Sequence, residues 1–293
     1  MNRRIFIKFS TLTSLFSIIL PQIFDTNYIR TLISDDDETI CRNKFSLLVN
    51  MGVKDLPIGD IIVEVGRSFI GTDYVGGTLD INADERLIVN LTGLDCVTFV
   101  ENCIVFGRRL KAGKTTFEDY KSELLRIRYR GGILDGYGSR LHYFTDWIYD
   151  NQEKKIVKDI TVEIGGIEYA KNINFMSSHP GSYEQLSDKR NLENIKIAEE
   201  AINSRTRYYI PAGAISKIYN SLQNGDIIAT TTSIDGLDVT HTGYVYKGED
   251  GGTYFLHASL KGKKVIISRN QLQDYVMEDS KKTGIIVARP LEI

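Results

Sequence analysis

The chain has 293 residues, 42% hydrophobic and 25% charged, a composition that suits a soluble globular protein of one large or two small domains. The formal net charge is -2 and Lys and Arg are dispersed, so no basic block marks a nucleic-acid partner. The three cysteines, Cys41, Cys96 and Cys103, form neither a disulfide framework nor a C-x-x-C zinc motif.

The first residues read as an address. Asn2-Arg3-Arg4-Ile5-Phe6-Ile7-Lys8 is a paired-arginine region, and a mostly apolar run follows from Phe9 to Phe24. That run is 16 residues long, short of the roughly 20 that span a bilayer. The expectation is a signal peptide over residues 1–24, of twin-arginine type, with export to the periplasm or the medium. No stable membrane span would then remain; a retained anchor is the alternative.

Residues 25–56 form a polar lead-in with a helical portion around Cys41–Val49. Ile61, Ile62, Val65 and Phe69 have helical spacing, and Gly71 ends that helix. The segment 71–77 is a glycine-rich loop. The clearest helix starts at Asp95 or Cys96 and runs to about Lys111, with Cys96, Phe99, Val100, Cys103 and Leu110 on one apolar stripe. Asp95 suits its N-cap, and Arg108, Arg109 and Lys111 suit its C-terminal dipole end. Further helices are expected over Phe117–Tyr129, Leu141–Tyr149 and Leu192–Ile202. Strands are expected over Ile156–Ile164, Gly225–Thr231, Val239–Tyr246, Thr253–His257, Lys264–Ser268 and Gly284–Ala288. Helices first and antiparallel strands afterwards imply an α+β fold.

A cysteine attacks as thiolate, and the first turn of a helix favours that form because unpaired N–H groups point at the sulfur. Cys96 sits at such a position, where the same N–H groups can hold an oxyanion. The plain alternative is a small core residue at the head of a stripe. Cys103, in mid-helix, reads as core. A nucleophilic cysteine needs an imidazole and a third group that holds the ring. His241 and His257 lie on consecutive strands either side of a glycine-rich turn. An odd-length loop or a bulge puts them on one face; a two-residue loop puts them on opposite faces. The sequence allows either.

Several segments resemble one family. Asp95-Cys96-x-x-Phe99-Val100 resembles the nucleophile helix start of the NlpC-type papain-like cell-wall cysteine hydrolases. The loop 71–77, the Gly225-Asp226-Ile227-Ile228 strand, His241-Thr242-Gly243-Tyr244-Val245 and Leu256-His257-Ala258-Ser259 resemble further parts of that group, in the same chain order. Gly138-Ser139-Arg140-Leu141-His142-Tyr143-Phe144, Asn174–Pro180 and Tyr208–Pro211 resemble its N-acetylmuramoyl-L-alanine amidase-like branch. The resemblance implies a papain-like domain over residues 57–293, its nucleophile helix packed on an antiparallel sheet, with a family-specific insertion at about 130–215. It implies Cys96 as nucleophile, His241 as base and His257 as orienter, with Tyr74 beside the sulfur. The implied substrate is peptidoglycan or its muropeptide fragments, cut between N-acetylmuramic acid and L-alanine, without a cofactor. The sequence departs at Val97-Thr98, where the wider group often has Ser-Gly, which would narrow the space next to the sulfur.

Asp95, Arg140, His142 and Tyr143 are the other candidates for a substrate groove. His179, Arg205 and Arg207 read as structural or solvated. Two alternatives keep the substrate: cleavage of the D-γ-glutamyl–diamino acid bond of the stem peptide, and a wall-binding module with a dead site. A zinc amidase is disfavoured, since the four histidines lie far apart without H-E-x-x-H.

Overall fold

The computed structural model describes residues 36–82 and 84–293. The expected signal peptide and the first part of the lead-in lie outside the described residues. Helices run over Asp36–Asn50 (α1), Ile58–Arg67 (α2), Cys96–Lys111 (α3), Phe117–Arg128 (α4), Phe144–Glu153 (α5), Lys189–Asn203 (α6) and Leu272–Met277 (α7). Strands run over Asp73–Tyr74 (β1), Gly93–Leu94 (β2), Val157–Asp159 (β3), Ile167–Glu168 (β4), Tyr208–Pro211 (β5), Ile227–Thr232 (β6), Val239–Lys247 (β7), Thr253–Ser259 (β8), Lys264–Ile267 (β9) and Lys282–Pro290 (β10). No helix among the described residues is long and apolar enough to cross a membrane.

The architecture is the expected mixture of helices and a sheet. Strand order is β2-β1-β9-β8-β7-β6-β10-β5-β4, with β3 also paired to β10. β1 and β2 run parallel, and β6, β7, β8 and β9 form an antiparallel meander. Strand alternation gives this meander two apolar faces. Tyr244, Leu256 and Ala258 join the core built by α1 to α5, while Val245 and Phe255 join a second core with the 212–221 segment and α7. α3 is central to the first core: the Tyr244 hydroxyl donates to the Val100 carbonyl at 2.6 Å.

Two expected elements change. The strand expected over Ile156–Ile164 shrinks to β3, because the Asp159 carboxylate accepts from the Thr161 N–H at 2.9 Å and turns the chain. The helix expected over Leu141–Tyr149 starts instead at Phe144 and ends at Glu153. Its first turn is satisfied by Asp238, whose carboxylate accepts from the Thr145 N–H at 2.8 Å and from its hydroxyl at 2.9 Å. No local pattern could show a partner so distant in sequence. The segment 130–215 gives β3 and β5 to the sheet and Phe144 and Trp147 to the main core. It also builds a smaller cluster that includes Tyr137, Tyr143, Ile173, Ile195 and Ile202.

Candidate active site

β2 leads directly into the cap of α3. The Asp95 carboxylate accepts from the Thr98 N–H at 2.8 Å, and the Thr98 hydroxyl accepts from the Asp95 N–H at 2.9 Å. This capping box satisfies two terminal donors and starts the helix at Cys96. Cys96 is 8% exposed. Burial, reinforced by the Asp95 carboxylate, pushes its thiol up to about 12, against the N–H groups of Thr242, Cys96 and Val97, which pull it down. The N–H groups at the helix start act in the expected direction, but desolvation outweighs them, so the ground state is the thiol. Thr242, whose N–H is the strand-side group that pulls the thiol down, is next in the chain to His241.

The two histidines do meet. β7 and β8 pair Tyr244 with Leu256 and Lys247 with Thr253, so the connecting loop is residues 248–252, an odd number. His241 and His257 therefore share a face. Their rings lie edge to face at 4.8 Å, with His241 Nε2 and His257 Nδ1 2.6 Å apart. Gly243 makes this possible: a Cβ there would lie 2.7 Å from the His257 Cβ. Phe255 stacks on His257 at 4.7 Å, and the Tyr275 ring of α7 sits 5.0 Å from it. Burial holds His241 well below the usual imidazole range, helped by His257 and Lys282. Burial and then Lys282 bring His257 down to about 3. Both rings are neutral at neutral pH.

A neutral pair shares one proton across the contact. When His241 donates from Nε2, its Nδ1 keeps a lone pair free to receive the thiol proton. His257 then accepts at Nδ1 and carries its own proton on Nε2, which is buried without a partner among the described residues. Among the described residues, no hydrogen bond joins the Cys96 thiol to His241. Such pairs commonly tighten only when substrate is bound.

Tyr74 lies on β1, paired to β2 just before the cap. Burial raises its hydroxyl, and negative charge on Cys96 or Asp95 would raise it further. Arg140, His142 and Tyr143 have internal partners. Arg140 is buried between Asp80 and Glu85, 3.3 Å from the latter. The His142 Nε2 lies 2.8 Å from the Tyr137 carbonyl, and burial with Arg140 brings its ring down to about 3. The Tyr143 hydroxyl donates to Glu199 at 2.7 Å and accepts from the Met176 N–H at 2.8 Å. His179 Nδ1 lies 2.9 Å from the Phe175 carbonyl, and Arg205 pairs with Asp146 at 2.8 Å. Sequence reasoning missed Tyr275 and Lys282, which the sheet and α7 bring to the histidines. Neither has a local signal: α7 is six residues long, and β10 pairs with β6 rather than with either histidine strand. Among the described residues, no three His, Cys, Asp or Glu side chains group as metal ligands would.

The AmiA-like family model, described as N-acetylmuramoyl-L-alanine amidase-like, matches residues 64–285. The chain belongs to the N-acetylmuramoyl-L-alanine amidase-like family. In this amidase-like chain the match takes in Tyr74, Cys96, His241, His257, Tyr275 and Lys282. A crystal structure named as an N-acetylmuramoyl-L-alanine amidase from Bacteroides uniformis is 32% identical, with a TM-score of 0.75 over 80% of this chain and 99% of that one. A candidate xylanase from Bacteroides fragilis is 33% identical, with a TM-score of 0.69 over 76% and 98%. A Legionella pneumophila protein at 20% identity and TM-score 0.68, over 89% and 96%, shares the fold. No curated protein matches the chain.

Proposed function

We propose that this chain is a cysteine-dependent amide hydrolase of peptidoglycan fragments, cutting between N-acetylmuramic acid and L-alanine on a papain-like, NlpC-type fold. The observation that carries the reading is the His241–His257 contact on β7 and β8, with the neighbouring Thr242 N–H among the groups that pull the Cys96 thiol down. Family membership and the name of the Bacteroides uniformis structure support the substrate. The helix-borne cysteine packed on an antiparallel sheet supports the papain-like assignment.

In the reaction, His241 Nδ1 takes the thiol proton as the Cys96 sulfur attacks the lactyl carbonyl carbon. Proton transfer and attack are coupled, because the buried thiol is not ionised beforehand. The N–H groups at the start of α3 hold the developing oxyanion; one such donor is worth roughly 3 kcal/mol in comparable sites. The imidazolium protonates the L-alanine nitrogen, the C–N bond breaks, and the sugar half stays on sulfur as a thioester. Water, deprotonated by His241, releases it. His257 holds the imidazole, and Tyr74 flanks the sulfur. The paired arginines and apolar run of residues 1–24 support export to the compartment that holds this substrate.

Mass analysis of products from defined muropeptides tests the reading. The expected products are the free muramic sugar and an intact stem peptide, with loss of about a thousandfold or more in Cys96→Ala and after thiol alkylation. Activity that survives Cys96→Ala but is lost with a chelator overturns it. A cut after the D-glutamyl residue would move the assignment to the stem-peptide bond.

A further inference from the structure

Lys282 stands near the two histidines and forms no ion pair among the described residues. Its Nζ lies 4.1 Å from the centroid of the Tyr275 ring. That ring is 5.0 Å from His257 and 6.4 Å from His241. A negative charge on Cys96 would in turn raise the Tyr275 hydroxyl. Lysine, aromatic ring and imidazole pair are thus neighbours around one spot. Lys282 opens β10 at a register shift, pairing with Thr232 while Gly284 pairs with Thr231. An extra residue of this kind re-aims the side chains next to it.

An ammonium has three donors to satisfy. Among the described residues Lys282 forms no ion pair, unlike Lys111, which meets Glu292 at 2.7 Å. Glu278 and Asp279 favour its charge from the preceding turn and Lys261 opposes it, yet burial outweighs them and lowers its proton affinity. A partly buried cation in this state gains from any anion that reaches it. The Tyr275 face supplies part of that compensation, while the donors themselves are left for a ligand.

We infer that Lys282 is the anion-recognition residue of this site, binding the free carboxylate of the acidic residue that follows L-alanine in the stem peptide. The inference rests on the amidase reading above and adds a specificity: fragments with a free carboxylate at that position are favoured over amidated ones. Lys282 acts in binding rather than in bond cleavage, so its removal falls on KM.

Two measurements on the full chain test this, comparing wild type with Lys282→Met and Lys282→Arg. The first is hydrolysis of a muropeptide pair that differs only in carboxylate against carboxamide. Lys282→Met is expected to raise KM about tenfold more for the carboxylate than for the carboxamide; Lys282→Arg retains most of the preference. Equal effects on both substrates, or none, overturn the inference. The second is alkylation of Cys96 by iodoacetate and by iodoacetamide, which needs no substrate. Its rate ratio is expected to fall several-fold in Lys282→Met, and an unchanged ratio overturns the inference. If wild type cuts neither muropeptide, the amidase reading fails, and the alkylation ratio still decides the role of Lys282.

Discussion

On the proposed mechanism, His257 acts only through what its Nδ1 offers His241. That mechanism needs His257 to accept from His241 Nε2 across the 2.6 Å contact, because the opposite arrangement protonates His241 Nδ1 and leaves no base for the thiol. Any side chain with an acceptor at that place serves. His257→Asn is therefore expected to keep more activity than His257→Ala, which loses about a hundredfold or more in kcat. Steady-state kinetics of the two variants check this, and equal losses remove the orienter role. The neutral state of the pair also bears on pH. Burial holds His241 well below the usual imidazole range, so the base stays unprotonated, and kcat is expected to hold, as pH falls through 6.5. A pH profile that loses activity with a midpoint near 6.5 contradicts this.

At the scale of elements, α3 is a buried helix more than an amphipathic one. Its stripe reading placed Phe99, Val100, Cys103 and Leu110 correctly in the core, but Glu101, Asn102 and Arg108 are buried too. They are matched by α4: Arg128 meets Glu101 at 2.8 Å, Glu123 meets Arg108 at 2.6 Å, and the Tyr120 hydroxyl bonds to Asn102. Arg128 also donates to the Ile88 carbonyl at 2.6 Å, which ties the strap after the Tyr74 loop to the helix pair. Removing one partner leaves the other charge buried and alone. Arg128→Met is expected to cost about 3–5 kcal/mol in denaturant unfolding, whereas changing Arg128 and Glu101 together to apolar residues costs less. A single variant that unfolds like wild type overturns that account.

For the whole molecule, α1 belongs to the fold rather than preceding it. Cys41, Phe45 and Leu48 enter the main core, and the buried Asp37 carboxylate accepts from the Leu91 N–H at 2.8 Å. Burial pushes Asp37 up to about 6, although the Leu91 N–H pulls it down. A raised carboxyl stabilises the fold fully below its unfolded value near 4, and that contribution is lost as pH rises through about 6. Asp37→Asn keeps an acceptor and removes the charge. It is expected to gain about 1–2 kcal/mol over wild type at pH 8 and nothing at pH 4, read from thermal unfolding at both pH values. An equal effect at both pH values sinks this prediction.

The sequence by itself determined the parts whose causes are local. The capped start of α3, the helices α2, α4 and α6, and the meander strands follow from periodicity, caps and turn residues within a few positions. It placed the candidate cysteine at a helix mouth and two histidines on adjacent strands, and it left their facing to the parity of a loop. Tertiary structure decided the rest, because the deciding partners are distant in sequence. The five-residue loop and Gly243 put the imidazoles together, Asp238 moved the start of α5, and β10 and α7 delivered Lys282 and Tyr275. Desolvation, a property of packing that no spacing encodes, outweighs the helix-start N–H groups at the sulfur and keeps the imidazole pair neutral.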